Sequence, residues 1–352
     1  MDIENLFIHI ISKGKKDNTY KFAFTKFLLD YSIKLQDIQD TKIYYDEISE
    51  AFLKYYWFQE CKYKIKQDFK QSSQPIIITI IQSFCGLDYI PDSYDNYFEN
   101  NTFKNSLIKE IEMKCLNDVI PRFQPDEYNL FYLHNHEKGD KKYKIPSNDK
   151  KFIIFQKDAI LYLKNNYELL HKALILEWAK FLEKTNFTPK LIAKIEHLGD
   201  TKRNSLNKYK KILLKIHNDK KCFYCNCDLN VAAAKDDISE KDDISEKDDI
   251  SEKDDISEKD DIHVDHFIPW SYVYDDELWN LVLSCSKCNL IKSNYLINEE
   301  YLAKIKARNE TFNLIEINKD ITEYYHNCKK AGFLTIPKEK LQSILSRLGN
   351  FS

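Results

Sequence analysis

Four cysteines stand in two Cys-x-x-Cys pairs: Cys222 and Cys225 in CFYC, and Cys285 and Cys288 in CSKC. A pair at this spacing makes a tight turn, and two such pairs separated by a long insert close a four-thiolate zinc site that ties distant segments together. Cys227 lies near enough in sequence to stand in for Cys225. A tetrathiolate centre is coordinatively closed, so it builds structure and leaves no position for a substrate. Chemistry must come from the residues between the pairs, where the chain reads HVDHFIP, His263 to Pro269, and then ELWNLVLSCSKCNLIKSN, Glu277 to Asn294. These are residues of the kind that hold a metal and move a proton. On a regular strand Asp265 and His266 face opposite sides, so both can serve one site only where the strand ends or bulges. Pro269 favours an ending, because proline cannot donate to a central ladder. His263 falls on the same side as Asp265.

The arrangement resembles the HNH endonuclease family, whose ββα-metal motif carries a carboxylate-His pair at the end of one strand, an Asn before the next, and a His or Asn opening a helix. The likeness runs from about Lys221 to Ile297, roughly a fifth of the chain. It rests on Asp265-His266 followed by Pro269, Asn280 ahead of an apolar strand, Asn289 directly after the second cysteine pair, and Lys292 three residues on. The resemblance implies that Asp265 and Asn289 hold one divalent metal, Mg²⁺ or Mn²⁺, through oxygens. It makes His266 the general base and Asn280 a catalytic-loop brace whose amide fixes the backbone behind the histidine. His263 is then a partner behind the ligands or an additional ligand, and Lys292 a cationic contact or a solvated surface lysine.

Physical requirements agree with these roles. Phosphodiester hydrolysis needs a nucleophile made from water, a cation against the charge building on phosphorus, and help for the departing oxygen. Imidazole, with an ordinary pKa of about 6.5, takes a proton from water near neutrality. Oxygen ligands suit a hard ion that keeps several waters. A helix beginning near Asn289 would also turn free N–H groups towards a phosphate. The implied activity is metal-dependent cleavage of DNA to 5′-phosphate and 3′-hydroxyl ends. The phrase VDHFIPWSYV followed by DELWNLV looks like the version found in restriction-type and anti-phage nucleases of bacteria, which implies host defence. The alternatives are a non-catalytic, zinc-supported DNA-binding module and a homing endonuclease. A single site of this type cuts one strand per event, so double-strand cleavage calls for a homodimer or repeated nicking. A partner protein of a defence system is the other expected associate.

The elements that position these residues follow from periodicity. Apolar residues recur at helical spacing from Asn5 to about Phe69, through Asp158–Asn186 and through Ser205–Asn218. The aromatic stripes on these helices read as core. Short alternating pieces at Asn129–His134 and Lys151–Phe155 suggest a small hairpin, and His134-Asn135-His136 reads as its loop, with nothing placed to complete a site. The expected fold class is α+β: a mainly helical N-terminal domain over residues 1–218, an HNH module over 219–300 with an insertion at 235–262, and a helical extension over 301–352. No task is legible in the N-terminal domain.

The insertion is the hexamer KDDISE repeated from Lys235, with the last copy breaking into HVDH. Six residues of helix turn through about 600°, so successive isoleucines form no stripe, and each repeat sets one apolar side chain against four charges. An exposed loop or frayed helix is expected, tolerant of length. Five Lys against ten Asp and four Glu give Lys235–Asp261 a net −9, so the chain's −3 leaves +6 on the rest, a mildly basic body compatible with phosphate contact. Those negative charges either form a neutral spacer or repel DNA and tune activity. An odd count of nine cysteines and a polar start, MDIENLFIHIISKGKK, indicate a reducing cytoplasm. The best candidate for a membrane span, PIIITIIQSF, is too short to cross a bilayer.

Overall fold

A computed structural model describes residues 2–13, 18–67, 74–85, 94, 98, 103–125, 128–139, 143–144, 146–198, 204–216, 220–229, 262–314 and 320–345. The hexamer repeat lies outside them, as do both readings of it. The chain is α+β and divides into two compact units. The first comprises Met1–Arg203 with Ser271–Tyr274 and Lys330–Gly332, and the second comprises Asn204–Trp270, Asp275–Lys329 and Phe333–Ser352.

The first unit is built round helix Tyr20–Lys34. Its sequence YKFAFTKFLL is apolar on nearly every side, the pattern of a helix enclosed by neighbours. Phe24 meets Phe123 edge-on with ring centroids 4.8 Å apart, and Phe22 stacks on Trp178 at 5.9 Å. The aromatic residues are therefore packing. The expected hairpin is part of a larger sheet: β1 (Thr41–Tyr44) and β2 (Tyr132–His134) flank β5 (Phe152–Phe155), both antiparallel to it, while β3 (Glu137–Lys138) and β4 (Tyr143–Lys144) form a separate two-stranded ladder. Strand β1 lies inside the stretch expected to be helical, because TKIY supplies a β-branched pair that a neighbouring strand covers. The expected helix from Asp158 breaks at Asn166 into Lys157–Asn165 and Tyr167–Glu183. There the Asn166 amide turns back to the Tyr162 carbonyl at 2.9 Å, the local bonding by which asparagine competes with helix. His136 is buried against Tyr45, whose hydroxyl lies 3.1 Å from Nδ1, and burial lowers its pKa to about 4. It is a core histidine. The run PIIITIIQSF forms helix Ile76–Cys85, and no helix among the described residues is long and apolar enough to cross a membrane.

In the second unit β6 (Ile262–His266) and β7 (Leu281–Cys285) pair antiparallel, with Ile262 opposite Cys285 and His266 opposite Leu281. Every residue of β7 is buried, which explains its unbroken apolar run. Helix Ser286–Lys292 follows β7 without a linker. Helix Asn207–Ile216 packs on both strands through its buried Leu213, and its exposed side carries Lys208, Lys211 and Lys215 at one-face spacing. Helices Glu300–Thr311, Ile321–Lys330 and Lys338–Leu345 follow in the chain.

Candidate active site

Strand β6 ends at His266, directly after Asp265. Lys292 ties the Asp265 side chain to the backbone of His266. Its ammonium donates to the His266 carbonyl at 2.7 Å and pairs with Asp265 Oδ2 at 3.1 Å, and the residue is wholly buried. Neither the surface lysine nor a free cationic contact describes it. A buried ammonium is retained only with partners that replace water, and these two replace it. The Tyr224 hydroxyl donates to the same Asp265 oxygen at 2.6 Å. Burial, then the facing carboxylate, pushes the Tyr224 pKa far up, so the phenol stays a donor. Among the described residues nothing donates to Asp265 Oδ1, and none bonds the side-chain amide of Asn289. Asn289 lies three residues before Lys292, on neighbouring positions of one helix face. The helix starts at Ser286, three residues earlier than its expected opening near Asn289, because Cys285 already stands at the N-cap position.

The imidazole of His266 turns to another partner, Asp276, with Nε2 2.9 Å from Oδ1. The two side chains are 7% and 17% exposed, enough burial to make the contact persistent. His263 is exposed and opposite Ser284, with no side-chain bond among the described residues.

Asn280 is fully buried behind the strand end. The Ile268 N–H donates to its Oδ1 at 2.8 Å, its Nδ2 donates to the Ile268 carbonyl at 2.9 Å, and the Phe267 N–H donates to its own carbonyl at 2.8 Å. One side chain thus satisfies both backbone groups of Ile268 and sets where the chain leaves β6. Asn280→Ala would leave that buried N–H and C=O unpaired, at about 1–3 kcal/mol for each group. Urea unfolding should show a fall of about 2–4 kcal/mol for the second unit; a variant as stable as the parent would remove Asn280 from this role.

The cysteines converge beside this strand pair. Sulfurs of Cys222, Cys225, Cys227 and Cys285 all lie within 4.8 Å of one another. Cys288 is buried and hydrogen-bonds the Cys222 sulfur. The CFYC turn is closed by Asn226, whose N–H donates to the Cys222 carbonyl at 2.9 Å and whose φ of 59° is a conformation asparagine tolerates well. The Cys222 thiol is drawn below its ordinary value, first by its hydrogen bond with Cys288, and that bond pushes Cys288 up. Crowded thiols cannot all ionise without a cation, whereas a bound dication deprotonates several. The donor set could hold a metal ion, and thiolates in fours favour zinc over hard ions. Cys61, Cys115 and Cys328 are buried elsewhere.

Residues 248–297 match the model of a family described as HNH endonuclease. This stretch is similar to an HNH endonuclease domain. No curated protein and no solved structure matches the chain. The HNH match covers β6, β7 and helix Ser286–Lys292 and stops short of residues that hold them. Arg308 donates to the carbonyls of Leu281 at 2.5 Å, Leu278 at 3.2 Å and Trp279 at 3.1 Å, and Asn309 joins it on Trp279 at 2.9 Å. Burial lowers the Arg308 pKa to about 10, which leaves it cationic at neutral pH. The Tyr301 hydroxyl and the Lys304 ammonium donate to the Tyr224 and Phe223 carbonyls of the cysteine turn. Sequence reading missed these residues, along with Tyr224 and Asp276. Only Asp276 left a trace, the acidic run DDE between Tyr274 and Leu278. For the others, a single polar residue on an amphipathic helix or between two cysteines carries no periodic signal.

Proposed function

We propose that the protein is a divalent-metal-dependent DNA endonuclease whose HNH domain is a ββα-metal module stabilised by a structural zinc. The observation that carries this reading is the pair of uncommitted oxygen donors, Asp265 Oδ1 and the Asn289 amide, on elements joined by Lys292 beside the His266 strand end. Such a donor pair fits Mg²⁺ or Mn²⁺, ions that take few protein oxygens and keep water and phosphate as further ligands. When bound, the ion supplies Lewis-acid stabilisation of the charge that develops on the phosphate.

The chain's own groups do the rest. Asp276 accepts from Nε2–H of His266, which leaves Nδ1 unprotonated and available to take a proton from the attacking water. Asn280 holds the backbone that follows, so the ring keeps its place. The exposed lysines of helix Asn207–Ile216 and the basic balance of the chain outside the repeat suit an anionic polymer. The resemblance to restriction-type and anti-phage nucleases makes defence against foreign DNA the favoured setting, with a homodimer or a partner protein where both strands are cut.

Asp276 is a positioning residue in this scheme. Asp276→Asn should lower kcat by about 10–100-fold with KM for DNA unmoved, and Asp276→Glu should recover part of the loss. Unchanged kcat in the Asn variant would remove the residue from the mechanism.

One observation favours the non-catalytic alternative: the buried Lys292 already neutralises the Asp265 carboxylate. Plasmid DNA incubated with purified protein, chelator-treated and then supplied with Mg²⁺ or Mn²⁺, separates the two. Nicking by the parent and none by His266→Ala supports the enzyme, whereas equal silence from both supports a binding module.

A further inference from the structure

Five sulfurs crowd a site where zinc takes four. Cys222, Cys225, Cys227 and Cys285 are mutually within 4.8 Å, and the fully buried Cys288 follows Cys285 in the first turn of helix Ser286–Lys292. The surplus follows from the backbone. After Cys225 the left-handed Asn226 reverses the chain, and the Cys222 N–H donates to the Cys227 carbonyl at 2.8 Å, with Lys221 bridged to Asp228 just beyond. This miniature hairpin returns Cys227 to the mouth of the cluster, its sulfur 3.3 Å from that of Cys225. Cys225 is also 3.8 Å from Cys285. Of the five, Cys227 alone is partly exposed.

We propose that Cys227 is an exchangeable ligand, able to replace Cys225 in the zinc site. The inference rests on the zinc reading above, and it adds a fifth ligand to the four that the paired spacing names. The exchange is balanced. A bond from the Cys227 thiolate to zinc forms as the bond from Cys225 breaks, and the proton lost by Cys227 is taken up by Cys225, so net charge and coordination number are unchanged. The opening faces solvent on the Cys227 side, which suits metal entering and leaving a centre whose other ligands are buried.

The test is made on the full-length protein loaded with Co²⁺, whose sulfur-to-metal charge-transfer absorption reports the number of thiolates, and with zinc competed by a chelator. The parent, Cys225→Ser and Cys227→Ser should each bind one metal with a four-sulfur spectrum and with zinc affinities within about 10-fold. The double variant Cys225→Ser with Cys227→Ser should fall to three sulfurs and bind at least about 10²-fold more weakly. Loss of the four-sulfur spectrum in Cys225→Ser, whether that variant folds or not, overturns the proposal while the parent's spectrum upholds the zinc reading. A parent that takes up neither metal overturns both.

Discussion

His266→Ala should lower the DNA cleavage rate by about 10²–10⁴-fold, the range that a positioned general base contributes, and should leave DNA binding intact. The side chain is 7% exposed and bonded to Asp276 alone among the described residues, so truncation removes one hydrogen bond and a small volume. A modest stability loss of about 1 kcal/mol is expected from that, too little to unfold a domain clamped by Lys292 and Asn280. Because the His266 carbonyl, not the ring, receives Lys292, the strand end keeps its anchor in the variant. Single-turnover cleavage of a labelled duplex, with anisotropy binding measured on the same substrate, separates rate from affinity. Parent-like cleavage by the variant would end the assignment of His266 as base, and with it the hydrolytic mechanism.

Cys222→Ser should abolish cooperative folding of the second unit. Cys222 supplies one of the four sulfurs that lie within 4.8 Å of one another, and it is fully buried. Structural zinc sites contribute about 10–16 kcal/mol of apparent folding free energy in small domains, more than the whole stability of a typical domain. The first unit, whose aromatic core runs from Leu6 to Leu198, has no share in the cluster. Calorimetry of the parent with excess chelator should therefore lose the transition of the second unit and keep that of the first, and the variant should show the same trace without chelator. A parent whose melting is indifferent to chelation would show that the thiols are packing residues.

Much of the site was legible because its chemistry leaves short-range marks. Two cysteine pairs, a histidine after an aspartate, and an asparagine ahead of an apolar run can each be seen within a few residues. The local pattern also indicated that β6 must end near His266, since alternation otherwise separates it from Asp265. What stayed hidden depends on contacts between distant residues. Lys292 looks like any surface lysine until a carboxylate and a carbonyl are found 3.1 Å and 2.7 Å from its nitrogen. Strand β1 was masked by helical periodicity on both sides, because four residues are too few to establish a period of their own. Asn166 interrupts a helix by a side-chain bond that composition does not announce.

Helix Glu300–Thr311 lies beyond the HNH match, yet its Arg308 and Asn309 grip the carbonyls at the start of β7 and its Tyr301 and Lys304 grip the cysteine turn. A fragment trimmed at Ile297 would expose Phe223, Leu281 and Trp279, all buried in the intact chain, and strip the backbone carbonyls of Phe223, Tyr224, Leu278, Trp279 and Leu281 of these donors. The portable cassette, the piece that could be grafted onto another targeting protein or shuffled between genes by recombination, is thus longer at its downstream end than its family signature.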